Sequence, residues 1–171
     1  MANKIHLQWL QEGAEEWNRR RKENDFQPDL SGCDVAELLK QGSKRIALSE
    51  INLEHADCSH CNFNNMKLDS ADFSRANLEA TILNGADISN ATFIGANLAR
   101  TDFRGAKITE TNFASLYLEP TEGGPVQIVK TDLSKIKSPS RFKFNQVLGD
   151  PSTILPSGTP RPGRWKSRDT G

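Results

Sequence analysis

The chain has 171 residues, which is the length of one ordinary domain, and it carries 22 basic and 22 acidic residues. This balance excludes a general electrostatic attraction to nucleic acid or to a membrane surface. No stretch has the apolar length of a signal peptide or membrane span, and three cysteines favour reduced thiols, so we expect a soluble cytoplasmic protein with no membrane partner.

The N-terminal segment is predicted to be helical. Apolar residues recur there at helical spacing, and they predict one amphipathic helix from about Lys4 to Asn24. A second, short helix is predicted from Asp34, as N-cap, to Gly42. We interpret Trp9 and Trp17 as packing residues rather than as a ligand-binding pair. Residues 1–45 are therefore predicted to be a helical cap.

From Ile46 onward the sequence repeats every five residues. The segments 71–75, 76–80, 86–90 and 96–100 are ADFSR, ANLEA, ADISN and ANLAR. Every fifth residue from 48 to 118 is apolar, which predicts one inward column. The predicted structural core within this column is Leu68, Phe73, Leu78, Leu83, Ile88, Phe93, Leu98, Phe103, Ile108 and Phe113.

Each repeat also has a small residue two places before the large one, and Asn or Asp between them. Ala71, Asp72 and Phe73 are one such set. Asn and Asp side chains bond nearby backbone amides and so favour turns. A period of five fits neither a helix nor an ordinary strand, so the pattern predicts a coil that turns a corner every five residues.

These motifs resemble the pentapeptide-repeat family, whose repeat is A(D/N)LXX. The resemblance implies an all-β solenoid, a right-handed quadrilateral β-helix in which four repeats form one coil. Matches 20 residues apart, such as Phe73, Phe93 and Phe113, agree with this period. We expect about four coils over residues 46–133, irregular at 119–127, with Ile128 and Leu133 on the same five-residue grid. The N-terminal cap is expected to be α-helical.

Residues 134–171 are predicted to be a short helical and extended C-terminal cap and tail. Ser140 is expected to cap a short helix that ends at Leu148. The following run, GDPSTILPSGTPRPGRW, is similar to the ending of many bacterial members of the family. Trp165 is expected to fold back onto the end of the solenoid.

The segment from His55 to Cys61 contains CxxC between two histidines, which suggests zinc. The repeat register places both cysteines inward and His55 and His60 outward, so these side chains diverge. No nucleophile elbow or phosphate loop is present in the sequence. We therefore expect no metal, no cofactor, no catalytic residue and no enzymatic activity.

The leading hypothesis is a non-enzymatic scaffold or protein-binding module that uses the faces of the β-helix. Candidate partner-contact residues are Arg75, Arg100, Arg104, Glu50, Glu54 and Glu110. The alternative is a gyrase-interacting DNA mimic, a role known in the family, or a nucleic-acid-associated protein using the basic tail. Residues 46–119 hold ten acidic and five basic residues, a modest imbalance for DNA mimicry. Because family members often dimerise end to end while both ends here look capped, monomer and homodimer both remain open.

Overall fold

The computed structural model describes residues 1–40, 46–113, 128, 133 and 149–165. It contains α1 (Lys4–Leu10), α2 (Ala14–Glu23), α3 (Val35–Leu38) and a 3-10 turn (Gly163–Trp165). The predicted helix from Ser140 to Leu148, the irregular segment 119–127 and the predicted helix end at Gly42 lie outside the described residues. Within the described ranges, no helix is long and apolar enough to span a bilayer.

The N-terminal segment forms two helices, so the prediction of one continuous helix was wrong. The break falls at Gly13, whose φ is 97°. A right-handed helix cannot contain this backbone conformation, which glycine adopts readily. Asn3 caps α1 by accepting a hydrogen bond from the Ile5 N–H at 2.9 Å. The predicted cap of α3 is present, since the Asp34 carboxylate accepts from the Glu37 N–H at 2.9 Å.

The repeat region is a solenoid whose coils contain 20 residues. Parallel β-bridges join Asn52 to Asp72, Asp72 to Thr92 and Thr92 to Asn112, which gives four stacked layers. Each bridge is isolated, and the described residues contain no longer strand. The reason is the five-residue period: the chain turns after each repeat, so only one residue per repeat forms a bridge.

We number the residues of each repeat 1 to 5, with the large apolar residue at position 3. In residues 51–55, the Asn52 side chain at position 2 accepts a hydrogen bond from the Glu54 N–H at 3.0 Å. The Leu53 carbonyl accepts from the Ala56 N–H at 3.0 Å, which closes a β-turn. His55, at position 5, has a φ of 59°, the left-handed value expected in a type II turn. The Asn or Asp predicted from sequence therefore holds the corner.

Stacking at 20-residue intervals produces four faces. Face 1 contains residues 46–50, 66–70, 86–90 and 106–110, and face 2 contains 51–55, 71–75, 91–95 and 111–113. Face 3 contains 56–60, 76–80 and 96–100, and face 4 contains 61–65, 81–85 and 101–105. Position 3 of every repeat points to the shared interior, and all ten predicted core residues are buried, with at most 2% of their surface exposed.

Aromatic rings fill one side of this interior. Phe93 is stacked between Phe73 and Phe113, with ring centroids 4.9 Å and 5.2 Å away. Phe103 meets Phe93 edge to face at 5.8 Å. Offset stacks and edge-to-face contacts are the favourable arrangements of aromatic pairs. The interior is therefore packed with side chains along the axis.

The coil stack extends below residue 46 at two faces. Asp29 forms a parallel bridge with Asp57, and Asp34 forms one with Asn62. Both pairs are separated by 28 residues rather than 20. Residues 28–36, which the sequence analysis assigned to the cap, thus form a partial layer beneath faces 3 and 4.

Candidate interaction surfaces

The lower end of the solenoid is closed by side chains of α2. The Trp17 indole N–H donates to the Asn52 carbonyl at 2.7 Å. Asn18 accepts from the Asn52 N–H at 2.7 Å and donates to the Glu50 carbonyl at 2.8 Å. Arg21 donates to the Glu54 carbonyl at 2.9 Å. In higher coils, backbone groups of the coil below bond the equivalents of the Asn52 and Glu54 groups, so these three side chains replace a missing layer under face 2.

The partial layer closes the lower end at the other two faces. Leu30 N–H donates to the Asp57 carbonyl at 2.8 Å, and Gly32 N–H donates to the Ser59 carbonyl at 2.7 Å. Ala36 N–H donates to the Asn62 carbonyl at 3.0 Å. An open sheet edge invites pairing with another chain. The edge at this end is covered by the protein's own N-terminal segment.

An aromatic cluster fixes the N-terminal segment in place. His6 is 7% exposed, and its Nδ1 accepts a hydrogen bond from the Asp29 N–H at 3.0 Å. Its ring centroid lies 4.9 Å from that of Phe26 and 5.5 Å from that of Trp9. Burial lowers the pKa of His6 below its ordinary value, against the opposing effect of Asp29, and the positive charge of Arg21 lowers it further. His6 is therefore held neutral.

We expect the folded protein to lose stability as the pH falls from about 7.5 to about 5.5, with His6 contributing to the loss. Because the folded state lowers the pKa of His6, the unfolded chain binds the proton more readily, and acid favours unfolding. Urea unfolding at both pH values measures the effect. The His6→Asn variant keeps an acceptor for the Asp29 N–H without titrating, so it should lose less stability over this range. An equal loss in the two proteins would contradict the assignment.

The upper end is closed by residues 149–165. Leu133 N–H donates to the Ile154 carbonyl at 2.8 Å, and the Thr153 hydroxyl donates to the Ile128 carbonyl at 2.9 Å. Trp165 is 1% exposed and belongs to the same buried cluster as the solenoid core. A Cβ atom added to Gly149 would lie 2.8 Å from the Trp165 ring, so this packing requires glycine. The tail therefore continues the stack rather than leaving it.

The six candidate contact residues are spread over four faces. Glu50 and Glu110 lie at position 5 of face 1, whereas Glu54 and Arg75 lie on face 2. Arg100 on face 3 donates to Glu79 at 2.8 Å, and Arg104 on face 4 donates to Asp102 at 2.6 Å. The structure does not bring the six together into one site.

The arginines at these positions differ in their availability. Arg100 and Arg104 are engaged within the chain, whereas Arg75 is exposed and forms no ion pair with any residue in the described ranges. Beside it on face 2, Ile94 is 38% exposed, and the Arg75 N–H donates to the Ile94 carbonyl at 2.8 Å. Face 2 thus presents an unpaired cation next to an exposed aliphatic side chain.

The CxxC segment places its side chains on opposite sides of the wall. Cys58 and Cys61 are fully buried, whereas His55 and His60 are exposed. Cys61 Sγ donates to the Leu30 carbonyl at 2.9 Å. A hydrogen bond with Cys61 and burial raise the pKa of the Cys58 thiol well above its ordinary value, and burial raises the pKa of Cys33 to about 11. Among the described residues, no three His, Cys, Asp or Glu side chains are arranged to bind a metal.

A charged groove of about 710 Å³ lies between α2 and the first coil. Glu16, which lines it, accepts from Arg19 at 2.5 Å, and this bond lowers the pKa of the Glu16 carboxyl. Arg20 donates to Glu12 at 2.7 Å in the same groove. A general acid at neutral pH needs a raised carboxyl pKa, so Glu16 is poorly suited to that role.

Sequence reasoning missed the residues that close the two ends. Asn18, Arg21 and Arg161 belong to charged or polar runs that look like ordinary solvated surface in sequence. Their partners are backbone carbonyls and amides, which no residue-type pattern reveals. A usable signal was the similarity of Asp29-Leu30-Ser31-Gly32 to a repeat, which indicated that the stack begins before Ile46.

The stacked corners, the filled axis and the 20-residue coil together define a β-helical solenoid built from five-residue units. The pentapeptide repeat region profile matches residues 44–133, more than half of the chain. The chain belongs to the pentapeptide-repeat family. The comparison with curated proteins gave no match.

Several solved structures are similar to this chain. A pentapeptide repeat protein from the thylakoid lumen of Arabidopsis thaliana is 22% identical, covers 77% of this chain and 81% of its own, and has a TM-score of 0.41. HetL from the cyanobacterium Nostoc, which is involved in heterocyst differentiation regulation, is 21% identical, with coverages of 72% and 63% and a TM-score of 0.33. QnrB1, a plasmid-mediated fluoroquinolone resistance protein, is 15% identical, with coverages of 65% and 75% and a TM-score of 0.43.

Proposed function

We propose that this protein is a non-enzymatic binding module that holds a protein partner against the lateral faces of its solenoid. The observation that carries the proposal is the closure of both ends by the chain's own side chains, with an axis packed by residues such as Phe93 and Leu98. With the ends covered and the interior filled, the lateral faces are the surface left for recognition. Small-molecule and catalytic sites are usually concave, and these faces are not.

Face 2 is the preferred contact surface in this proposal. Arg75 is exposed and unpaired among the described residues, and Ile94 adds an exposed apolar group beside it. Arginine is enriched at protein interfaces, where it pairs with carboxylates and packs over apolar groups. The engaged Arg100 and Arg104 would first have to leave Glu79 and Asp102. We therefore expect the partner to offer an acidic surface with an apolar pocket.

Quantitative affinity capture from native lysate tests this proposal. The wild-type protein and the Arg75→Glu variant serve as baits, and mass spectrometry compares what each retains. A partner that binds face 2 should be retained at least about tenfold less by the variant, because reversing a charge at a contact changes binding by 1.4 kcal/mol or more. Lys67→Glu on face 1 is the matched control, since Lys67 is also exposed and makes the same charge change.

Two results would remove the proposal in this form. One is the same set of retained proteins with the wild-type bait, Arg75→Glu and Lys67→Glu. The other is a wild-type bait that retains nothing above a bait of unrelated sequence. Loss with both variants would place the contact over faces 1 and 2 together.

The gyrase-interacting alternative depends on a continuous acidic surface. Along the described faces, Asp87, Glu79 and Asp102 are each bonded to a basic side chain, Lys107, Arg100 and Arg104 respectively. These pairs interrupt the negative potential that a DNA mimic presents. A gyrase supercoiling assay separates the hypotheses: an effect on supercoiling that Arg75→Glu leaves unchanged would favour the alternative.

A further inference from the structure

The upper end of the solenoid finishes in a short segment, Thr153 to Leu155, that has a definite edge. In the repeats, the carbonyl at position 1 and the N–H at position 3 bond the coil above, as Ile51 and Leu53 both do with Asp72 at 2.9 Å and 2.8 Å. Thr153 and Leu155 occupy the corresponding positions, because the Ile154 carbonyl between them accepts from Leu133 below. The Thr153 carbonyl and the Leu155 N–H are therefore the groups that a further layer would bond.

A single side chain occupies part of this edge. The Arg161 guanidinium donates to the Thr153 carbonyl at 2.8 Å and to the Asp150 carbonyl at 2.9 Å. Arg161 is exposed. The Leu155 N–H bonds no residue in the described part of the chain. The edge is thus half closed, and its closure depends on one residue, whereas several residues close the lower end.

We infer that Arg161 holds shut an edge that otherwise pairs with the same edge of a second copy of this chain. An edge with one donor and one acceptor on either side of a residue is self-complementary in an antiparallel pair. With a two-fold axis at Ile154, the Leu155 N–H of each copy meets the Thr153 carbonyl of the other. Such an interface uses the same residues on both sides, as two-fold dimers do.

The exposed side chain at the centre of this edge supports a second copy as the occupant. Ile154 is 51% exposed and is one of the few large apolar side chains on the described surface. In the proposed pair the two Ile154 side chains lie opposite each other at a non-hydrogen-bonded position, where side chains are closest. Burying the pair removes apolar surface from water while the two backbone bonds form.

Light scattering coupled to gel filtration tests the inference over a wide range of concentration. The wild-type chain is expected to run as a monomer of 19.0 kDa and the Arg161→Gln variant to approach twice that mass. Adding Ile154→Lys to Arg161→Gln should restore the monomer, because two charges would meet at the axis. Arg75→Gln is the matched control, an exposed arginine remote from this edge, and should stay monomeric.

Cross-linking provides a measurement that does not depend on the tail remaining fully ordered in Arg161→Gln. Ile154→Cys should form a symmetric disulfide, since the paired Cα atoms fall within disulfide range. The reaction should be at least about tenfold faster in the Arg161→Gln background, because it loses hydrogen bonds from a charged group. Ser157→Cys is the control and should react slowly in both backgrounds. A monomeric Arg161→Gln protein, or no Ile154→Cys dimer in either background, overturns the inference.

Discussion

Replacing Phe93 with alanine should lower the free energy of unfolding by about 3–5 kcal/mol, the range measured for buried aromatic residues. Phe93 is fully buried and touches rings on three sides, those of Phe73, Phe103 and Phe113. Removal of its ring leaves a cavity that the neighbouring coils cannot fill, because backbone hydrogen bonds fix their spacing. Urea unfolding followed by circular dichroism measures the loss. Since a domain is stable by about 5–15 kcal/mol, the variant should remain folded only marginally.

The control for this experiment is the next residue in the chain. Ile94→Ala removes a side chain of similar apolar character from the outside of the same repeat, where 38% of it is exposed. We expect a loss of about 1 kcal/mol or less, since most of the surface it buries is shared with solvent. Similar losses for the two variants would show that the interior column does not carry the stability of the solenoid.

Trp17→Ala should have an effect of comparable size at the lower end. The substitution removes a fully buried aromatic ring, which costs about 3–5 kcal/mol. It also leaves the Asn52 carbonyl without its indole donor, and an unpaired buried carbonyl costs about 1–3 kcal/mol. Amide hydrogen exchange should show the first coil opening before the others, beginning with the Asn52 N–H.

A second substitution separates the hydrogen bond from the packing. Trp17→Phe keeps most of the ring but loses the donor, so we expect it to lose about 1–3 kcal/mol and less than Trp17→Ala. Arg19→Ala on the same helix is the control, because its ion pairs with Glu16 and Glu23 are at the surface and contribute little. Uniform exchange across all coils in Trp17→Ala would contradict a local capping role.

The sequence was sufficient to predict the solenoid because one physical requirement recurs at every repeat. A large apolar residue at position 3 and Asn or Asp at position 2 each have a local purpose, packing on the axis and bonding the corner. Phe73 and Asn52 illustrate these two roles. Because the requirement is local and periodic, the amino-acid letters alone reveal it.

The ends could not be predicted in the same way because their interactions are neither local nor periodic. Arg21 and Glu54 are 33 residues apart, and Arg161 bonds carbonyl groups that every residue type possesses. The break at Gly13 was also missed, since glycine within a helical pattern is often tolerated. The six candidate contact residues were chosen by charge, and charge alone does not show which arginines are already engaged.

The 28-residue separation between Asp29 and Asp57 has a consequence for how such a protein changes in length. Hydrogen bonds between layers specify which residues face each other, and they are indifferent to how much chain lies between one layer and the next. Eight additional residues between these layers leave both bridges intact. Extra sequence can therefore be accommodated at a corner during evolution, or by an engineer seeking a place to insert a peptide, while the layers on either side keep their alignment.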